Sequence, residues 1–163
     1  MIPARSPRFG DVLEISPDSI AIIDRICNHL VSNRGAALII DYGSDHPPAE
    51  TLRAVDSHKF APFLQRPGQV DITADVNFGA LRDAVQCQEG NVQVTNTVEQ
   101  GRFLQSLGIM KRVEQLVDQC PSEQEQDALI AGYERPEQMG SVYKCMAIVA
   151  QDIYDQVPGF SSS

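Results

Sequence analysis

A chain of 163 residues, 42% hydrophobic and 21% charged, has the size and composition of one globular domain with a hydrophobic core. Its formal net charge of -9, with no Lys/Arg cluster, argues against a nucleic-acid backbone as partner and leaves a basic protein surface open. No apolar run reaches the length of a membrane span, and residues 1–10 carry no visible targeting segment.

In chain order, residues 9–15 alternate imperfectly and predict a strand entering the first helix. Ser16 is a good N-cap with Pro17 at the first helical position. Ile20, Ile23, Ile26, Cys27, Leu30 and Val31 then recur at helical spacing, which predicts one buried face over about residues 17–32. Asn33, Arg34 and Gly35 end that helix. Residues 37–40 follow as an unbroken apolar run with two β-branched residues, the pattern of a strand covered on both faces inside a parallel sheet. Asp41, at the expected carboxyl end of that strand, takes the position where open α/β sheets bind ligands.

Residues 43–48 read as loop. Residues 51–63 are ambiguous: Leu52, Val55 and Phe60 can pack, but Pro62, Pro67 and Gly68 break the segment. A connection this long, directly after a sheet strand, is either padding or part of a site. Asp71 to Asn77 leads into a helix that Asn77 caps, with Val76 stapled against Leu81 and a buried stripe of Phe78, Leu81, Ala84 and Val85. Gly90 stops it, and Val92, Val94 and Val98 predict a strand.

Thr97 and Gln100 have capping-box spacing, opening a short helix through Phe103, Leu104 and Leu107. Gly108 separates it from a helix carrying Ile109, Val113, Leu116, Val117 and Cys120 on one face. After Pro121, Ser122 and Glu125 repeat the capping box ahead of Leu129 and Tyr133. Beyond Pro136 and Gly140, residues 142–150 are apolar apart from Lys144 and predict a final buried strand. The expected organisation is therefore α/β, with residues 1–155 as one unit and residues 156–163 as a flexible tail.

Several residues are candidates for chemistry. Asp41 either serves a ligand or accepts local backbone hydrogen bonds. Asp71 and Asp75 flank Thr73 just before a helix start, where they serve turn and capping chemistry or bind a cationic group. Arg53 and Lys59 can anchor an anion but have no phosphate-loop context. His29, His46 and His58 fit no metal motif, so no metal site is expected. Cys27, Cys87, Cys120 and Cys145 lie far apart and read as reduced core cysteines. None of the eleven glycines lies two positions from another, so no G-x-G exists and a self-contained nucleotide site is not supported.

The same stretches resemble a known family when taken in order. They are Gly35-Ala36-Ala37-Leu38-Ile39-Ile40-Asp41-Tyr42-Gly43, Thr51-Leu52-Arg53, His58-Lys59-Phe60, Pro67-Gly68 and Asp71-Ile72-Thr73-Ala74-Asp75-Val76-Asn77-Phe78 with Leu81. Gln100-Gly101-Arg102-Phe103-Leu104, Leu107-Gly108-Ile109 with Arg112, Met139-Gly140 and Tyr143-Lys144 continue the series. Over about residues 8–150 the chain resembles the C-terminal part of the MidA-like SAM-dependent methyltransferases.

The resemblance implies the C-terminal half of a class I (Rossmann-like) methyltransferase fold, a mostly parallel sheet with an antiparallel last strand. Residues 142–150 would be that strand, paired beside residues 37–42. It further implies S-adenosyl-L-methionine as methyl donor in the full-length family, and protein-arginine methylation. A mitochondrial location and a complex I subunit as protein substrate during assembly follow from the same likeness. The family's glycine-rich loop and ribose-holding acid lie upstream of everything matched here. The chain is thus expected to be a fragment, to have no cofactor-binding residue of its own, and to need the N-terminal half of the same fold as partner. Ala61 stands where the family often has an acidic residue, and Asn77 where Asp is usual. Asp41, Asp71 and Asp75 are the substrate-side candidates, since a guanidinium needs a carboxylate to orient it. The alternatives are a non-catalytic assembly or interaction protein using an open sheet edge and acidic surface, and a remnant without function.

Overall fold

The computed structural model describes residues 8–88, 90–139 and 141–160. Ser16 caps the first helix, α1 (Pro17–Asn33), by accepting a hydrogen bond from the Ser19 N–H. Ile23, Cys27 and Leu30 form its buried stripe, as the spacing predicts, whereas Val31 is half exposed. The backbone reverses at Arg34 (φ 62°) and enters β1 (Ala36–Ser44). The later elements of the main layer are β5 (Val76–Asn77), α2 (Phe78–Gln86), β6 (Val92–Val94), β7 (Val98–Glu99), α3 (Gln100–Ser106), α4 (Ile109–Val117), α5 (Glu123–Met139) and β8 (Tyr143–Ala150).

The main sheet has the order β5-β1-β8-β6, with β7 also paired to β8. β8 runs antiparallel to β1 from Ala36↔Val149 to Tyr42↔Tyr143, and antiparallel to β6 from Val92↔Ala150 to Val94↔Ile148. β1 and β6 therefore run in one direction with a reversed strand inserted between them. β5 joins β1 in parallel at Gly43↔Val76 and Ser44↔Asn77. The core lies between this sheet and the α1/α2 layer. Met146 and Ile148 of β8, Val92 of β6 and Phe78, Leu81 and Val85 of α2 meet Ile23, Cys27 and Leu30.

Several expectations are corrected. Residues 11–16 have no regular structure, because no strand among the described residues pairs with them; Leu13 and Ile15 are exposed. β1 is not covered on both faces. Ala37 and Ile39 pack on the core, but Leu38 and Ile40 remain 49% and 44% exposed on the other side. Along residues 38–40 only β8 pairs with β1 among the described residues, so the opposite flank stays open. The Thr97/Gln100 capping box does not form: α3 starts after Glu99 without a side-chain cap. α5 continues past Pro136 to Met139. Cys87 is exposed and Cys120 half-buried; Cys27 and Cys145 alone are buried thiols, and burial pushes Cys145 up to about 11.

The ambiguous insertion is ordered. β2 (Arg53–Asp56), β3 (Lys59–Ala61) and β4 (Asp71–Thr73) build a second, antiparallel sheet of order β3-β2-β4. Ser57 and His58 join β2 to β3 with φ of 50° and 63°, the left-handed pair that a two-residue hairpin turn requires. At the other end of the chain, the expected tail is packed as far as Phe160. Its ring lies 5.2 Å from that of Phe103, whose ring also abuts Gly159. Residues 161–163 lie outside the described residues.

Candidate functional site

β1 extends three residues beyond Asp41, to Ser44. Asp41 therefore sits inside the ladder, opposite Lys144, and its Oδ1 accepts the Tyr42 N–H at 2.8 Å. The carboxylate that follows the strand end is Asp45, which the sequence reading missed. Its Oδ1 accepts Nη2–H of Arg82 (2.7 Å) and the Thr97 hydroxyl (2.6 Å). Arg82 also donates to Thr97 Oγ1 at 2.6 Å. Burial acts to raise the Asp45 pKa, but hydrogen bonds from Arg82 and Thr97 outweigh it and hold the carboxyl below its ordinary range. This trio ties the loop after β1 to α2 and to the segment before β7. The Thr97 hydroxyl is consumed there, which is why it caps no helix.

A second network gathers around Thr51, 7% exposed at the entry to the small sheet. Its hydroxyl donates to Glu14 Oε2 (2.5 Å) and accepts the Asp75 N–H (3.0 Å). Glu14 Oε1 takes the Leu52 N–H at 2.8 Å, and these bonds lower the Glu14 pKa, the Thr51 hydroxyl foremost. Arg53 then reaches back toward β1. Its Nη1 donates to Thr51 O (2.9 Å) and to Asp75 Oδ1 (2.8 Å), while its guanidinium carbon lies 5.0 Å from the centre of the Tyr42 ring. That distance is within cation–π range. Tyr143, opposite Tyr42 in the ladder, meets it edge-on with centroids 5.7 Å apart. Burial raises the Tyr42 pKa, Asp41 and Asp75 add to the rise, and Arg53 opposes it.

Of the three expected carboxylates, Asp41 and Asp75 both lie near enough to Tyr42 to act on its phenol. Asp71 is not with them: it lies exposed at the start of β4, beside Val55. Arg53, expected to anchor an anion, does so for Asp75. His46 and His58 are exposed, and His29 faces Asn33 within α1. No group of His, Cys, Asp and Glu among the described residues is arranged to hold a metal. The pairing of Glu14 with Thr51 was missed because the two are 37 residues apart and Glu14 carries no motif. The one available signal was Thr51 standing directly before Leu52 and Arg53.

Chemically, the network offers a fixed carboxylate, a carbonyl and an aromatic face around one cationic group. A Cβ at Gly43 would lie 2.2 Å from Val76 O, and one at Gly79 would lie 2.2 Å from Asp45 O. The chain's own backbone packs closely against both glycines, so neither position has room for a side chain.

Comparison with known proteins gives three concordant findings. A family model described as "Putative S-adenosyl-L-methionine-dependent methyltransferase" matches residues 1–97. The protein arginine methyltransferase NDUFAF7, mitochondrial, of Rattus norvegicus is 36% identical over 140 residues, covering 84% of this chain and 31% of that protein. The Homo sapiens counterpart is 33% identical over 142 residues, 85% of this chain and 32% of that one. This chain spans about a third of the length of these curated relatives. A Burkholderia thailandensis protein crystallised with S-adenosyl-homocysteine superposes with a TM-score of 0.65 at 25% identity, covering 88% of this chain and 36% of that one.

Proposed function

Since this chain belongs to the S-adenosyl-L-methionine-dependent methyltransferase family, we propose that it works as the C-terminal portion of a protein-arginine methyltransferase domain. Residues 1–155 supply one side of the sheet together with the substrate-side loops. The observation that carries the reading is the reversed strand β8 between β1 and β6, in a chain 36% identical to a protein arginine methyltransferase. In this reading the enzyme acts in mitochondria on an arginine of a complex I subunit, as the mitochondrial relatives' names and the family resemblance suggest.

S-adenosyl-L-methionine, when bound, supplies the electrophilic methyl group. The sequence has no G-x-G loop of the kind that cradles a nucleotide, which supports placing the donor site outside this chain. The donor is held by the N-terminal half of the fold. Titration of S-adenosylmethionine into the purified chain in a calorimeter is expected to give no binding heat. A measurable dissociation constant would overturn this division of labour.

Asp75, with Asp41 next to Tyr42, holds the guanidinium side of the reaction; Asp71, exposed at the start of β4, meets another part of a protein substrate. Deleting the gene is expected to lower arginine methylation on a mitochondrial complex I subunit, read by mass spectrometry. Methylation at the wild-type level would remove the enzymatic reading. A second reading, an interaction protein without methyl transfer, draws on the open β1 flank with Leu38 and Ile40 exposed. It predicts impaired complex I assembly with methylation intact.

A further inference from the structure

The cluster around Tyr42 has the parts of a guanidinium receptor, and its present occupant belongs to the protein itself. We propose that the hollow between the Tyr42 ring, the Asp75 carboxylate and the Thr51 carbonyl is a guanidinium-binding site that Arg53 fills in cis. An arginine side chain of a protein substrate takes the place of Arg53 there. The identity of the incoming group rests on the protein-arginine reading above.

Three features support a site rather than a fixed strut. The backbone that carries the walls is fixed without Arg53. Asp75 is held by its own N–H to Thr51 Oγ1 (3.0 Å), Thr51 is held by Glu14 (2.5 Å), and Tyr42 is fixed in the β1–β8 ladder against Tyr143. Removing the guanidinium leaves that framework and the Tyr42 ring in place and frees the Asp75 carboxylate for another partner. The occupant, by contrast, is loosely engaged. A single nitrogen, Nη1, makes both of the Arg53 hydrogen bonds, and the side chain is 33% exposed, as Asp75 is 27% exposed. An ion pair this open to water is weakly held.

The third feature is an unmet capacity. Asp75 Oδ2 receives no hydrogen bond from a described residue. Tethered to β2, Arg53 reaches only one carboxylate oxygen, whereas a guanidinium arriving from solution can lie parallel to the carboxylate and bond both. The surrounding field favours a cation once Arg53 has left. Asp41 and Asp75 both act on the Tyr42 phenol, and Arg53 is the positive group that opposes them. A planar, delocalised cation fits the ring face and the carboxylate fork together, which a compact ammonium does not.

The test uses the whole chain with Arg53→Ala, its fold checked by circular dichroism, and ethylguanidinium as the probe. Binding, followed by the shift of the Tyr42 ring resonances, should be about tenfold tighter than to the wild type, with no comparable gain for ethylammonium. Adding Asp75→Asn should abolish the gain. A short arginine peptide should bind Arg53→Ala in preference to its lysine counterpart. If Arg53→Ala does not fold, Arg53→Gln serves for the same comparison. Equal affinity of wild type and variant, an equal gain for ethylammonium, or a gain that survives Asp75→Asn overturns the site. Binding of ethylguanidinium without binding of the arginine peptide overturns the substrate's use of it. None of these readings depends on methyl transfer, so a failure of the methyltransferase proposal would appear separately.

Discussion

Phe78→Ala should lower the unfolding free energy by about 3–5 kcal/mol in a denaturant titration. Phe78 is the first residue of α2, placed by the Asn77 cap whose side chain accepts the Ala80 N–H at 2.9 Å. It is fully buried and belongs to the cluster that joins α1, α2, β6 and β8. Truncating it leaves a cavity walled by two helices and a sheet, none of which can collapse into it without breaking its own ladder. Against a typical total of about 5–15 kcal/mol, that loss removes a large part of the domain's stability. Phe60 is the internal control. It lies on β3 at 82% exposure, so Phe60→Ala should stay within about 0.5 kcal/mol of wild type. Similar losses for the two variants would mean that the core is not assembled around α2.

Gly43→Ala is expected to be nearly as damaging, through the backbone rather than through a cavity. At φ 150° the residue occupies a region open almost exclusively to glycine, and a side chain forced there costs of order 1–3 kcal/mol. The added methyl would also lie 2.2 Å from Val76 O and 2.8 Å from Val76 N. Moving that backbone away adds roughly another 1–3 kcal/mol, as overpacking does elsewhere. The damage should spread in a defined direction. Val76 stands between Asp75, which grips Arg53, and Asn77, which caps α2. The urea midpoint should therefore fall, and amide exchange in the first turn of α2 should quicken more than in α4. Gly108→Ala offers the contrast: its φ is 80° but nothing lies within 4 Å, so only the conformational cost remains. A Gly43→Ala midpoint no lower than that of Gly108→Ala would show that the β1–β5 contact is not close.

Much of the scaffold is carried by local signals. The Ser16 cap and the Ile23–Cys27–Leu30 stripe specify α1, Asn77 specifies the start of α2, and the apolar runs at Ala37–Ile40 and Cys145–Ala150 specify the two long strands. These are legible because a cap or a stripe acts over a few residues, and the hydrophobic period survives whatever surrounds it. The small sheet is harder to see: its strands have three or four residues, and Ser57–His58 makes a left-handed turn without the usual Asn-Gly.

Where two uses compete for one group, tertiary structure decides. The Thr97 hydroxyl had the spacing of a helix cap, yet Asp45 and Arg82, brought beside it by β1 and α2, take it instead. Asp41 had the apparent place of a strand-end carboxylate until pairing with β8 and β5 carried the strand on to Ser44 and left Asp45 there. By itself the sequence determined which residue types were present for the site, including Asp75 and Arg53, and where the helices and long strands of the surrounding scaffold run. Only the fold determined that Glu14, Thr51, Arg53 and Asp75 form one network with Arg53 over Tyr42. That meeting depends on chain crossings tens of residues apart, which a local pattern cannot encode.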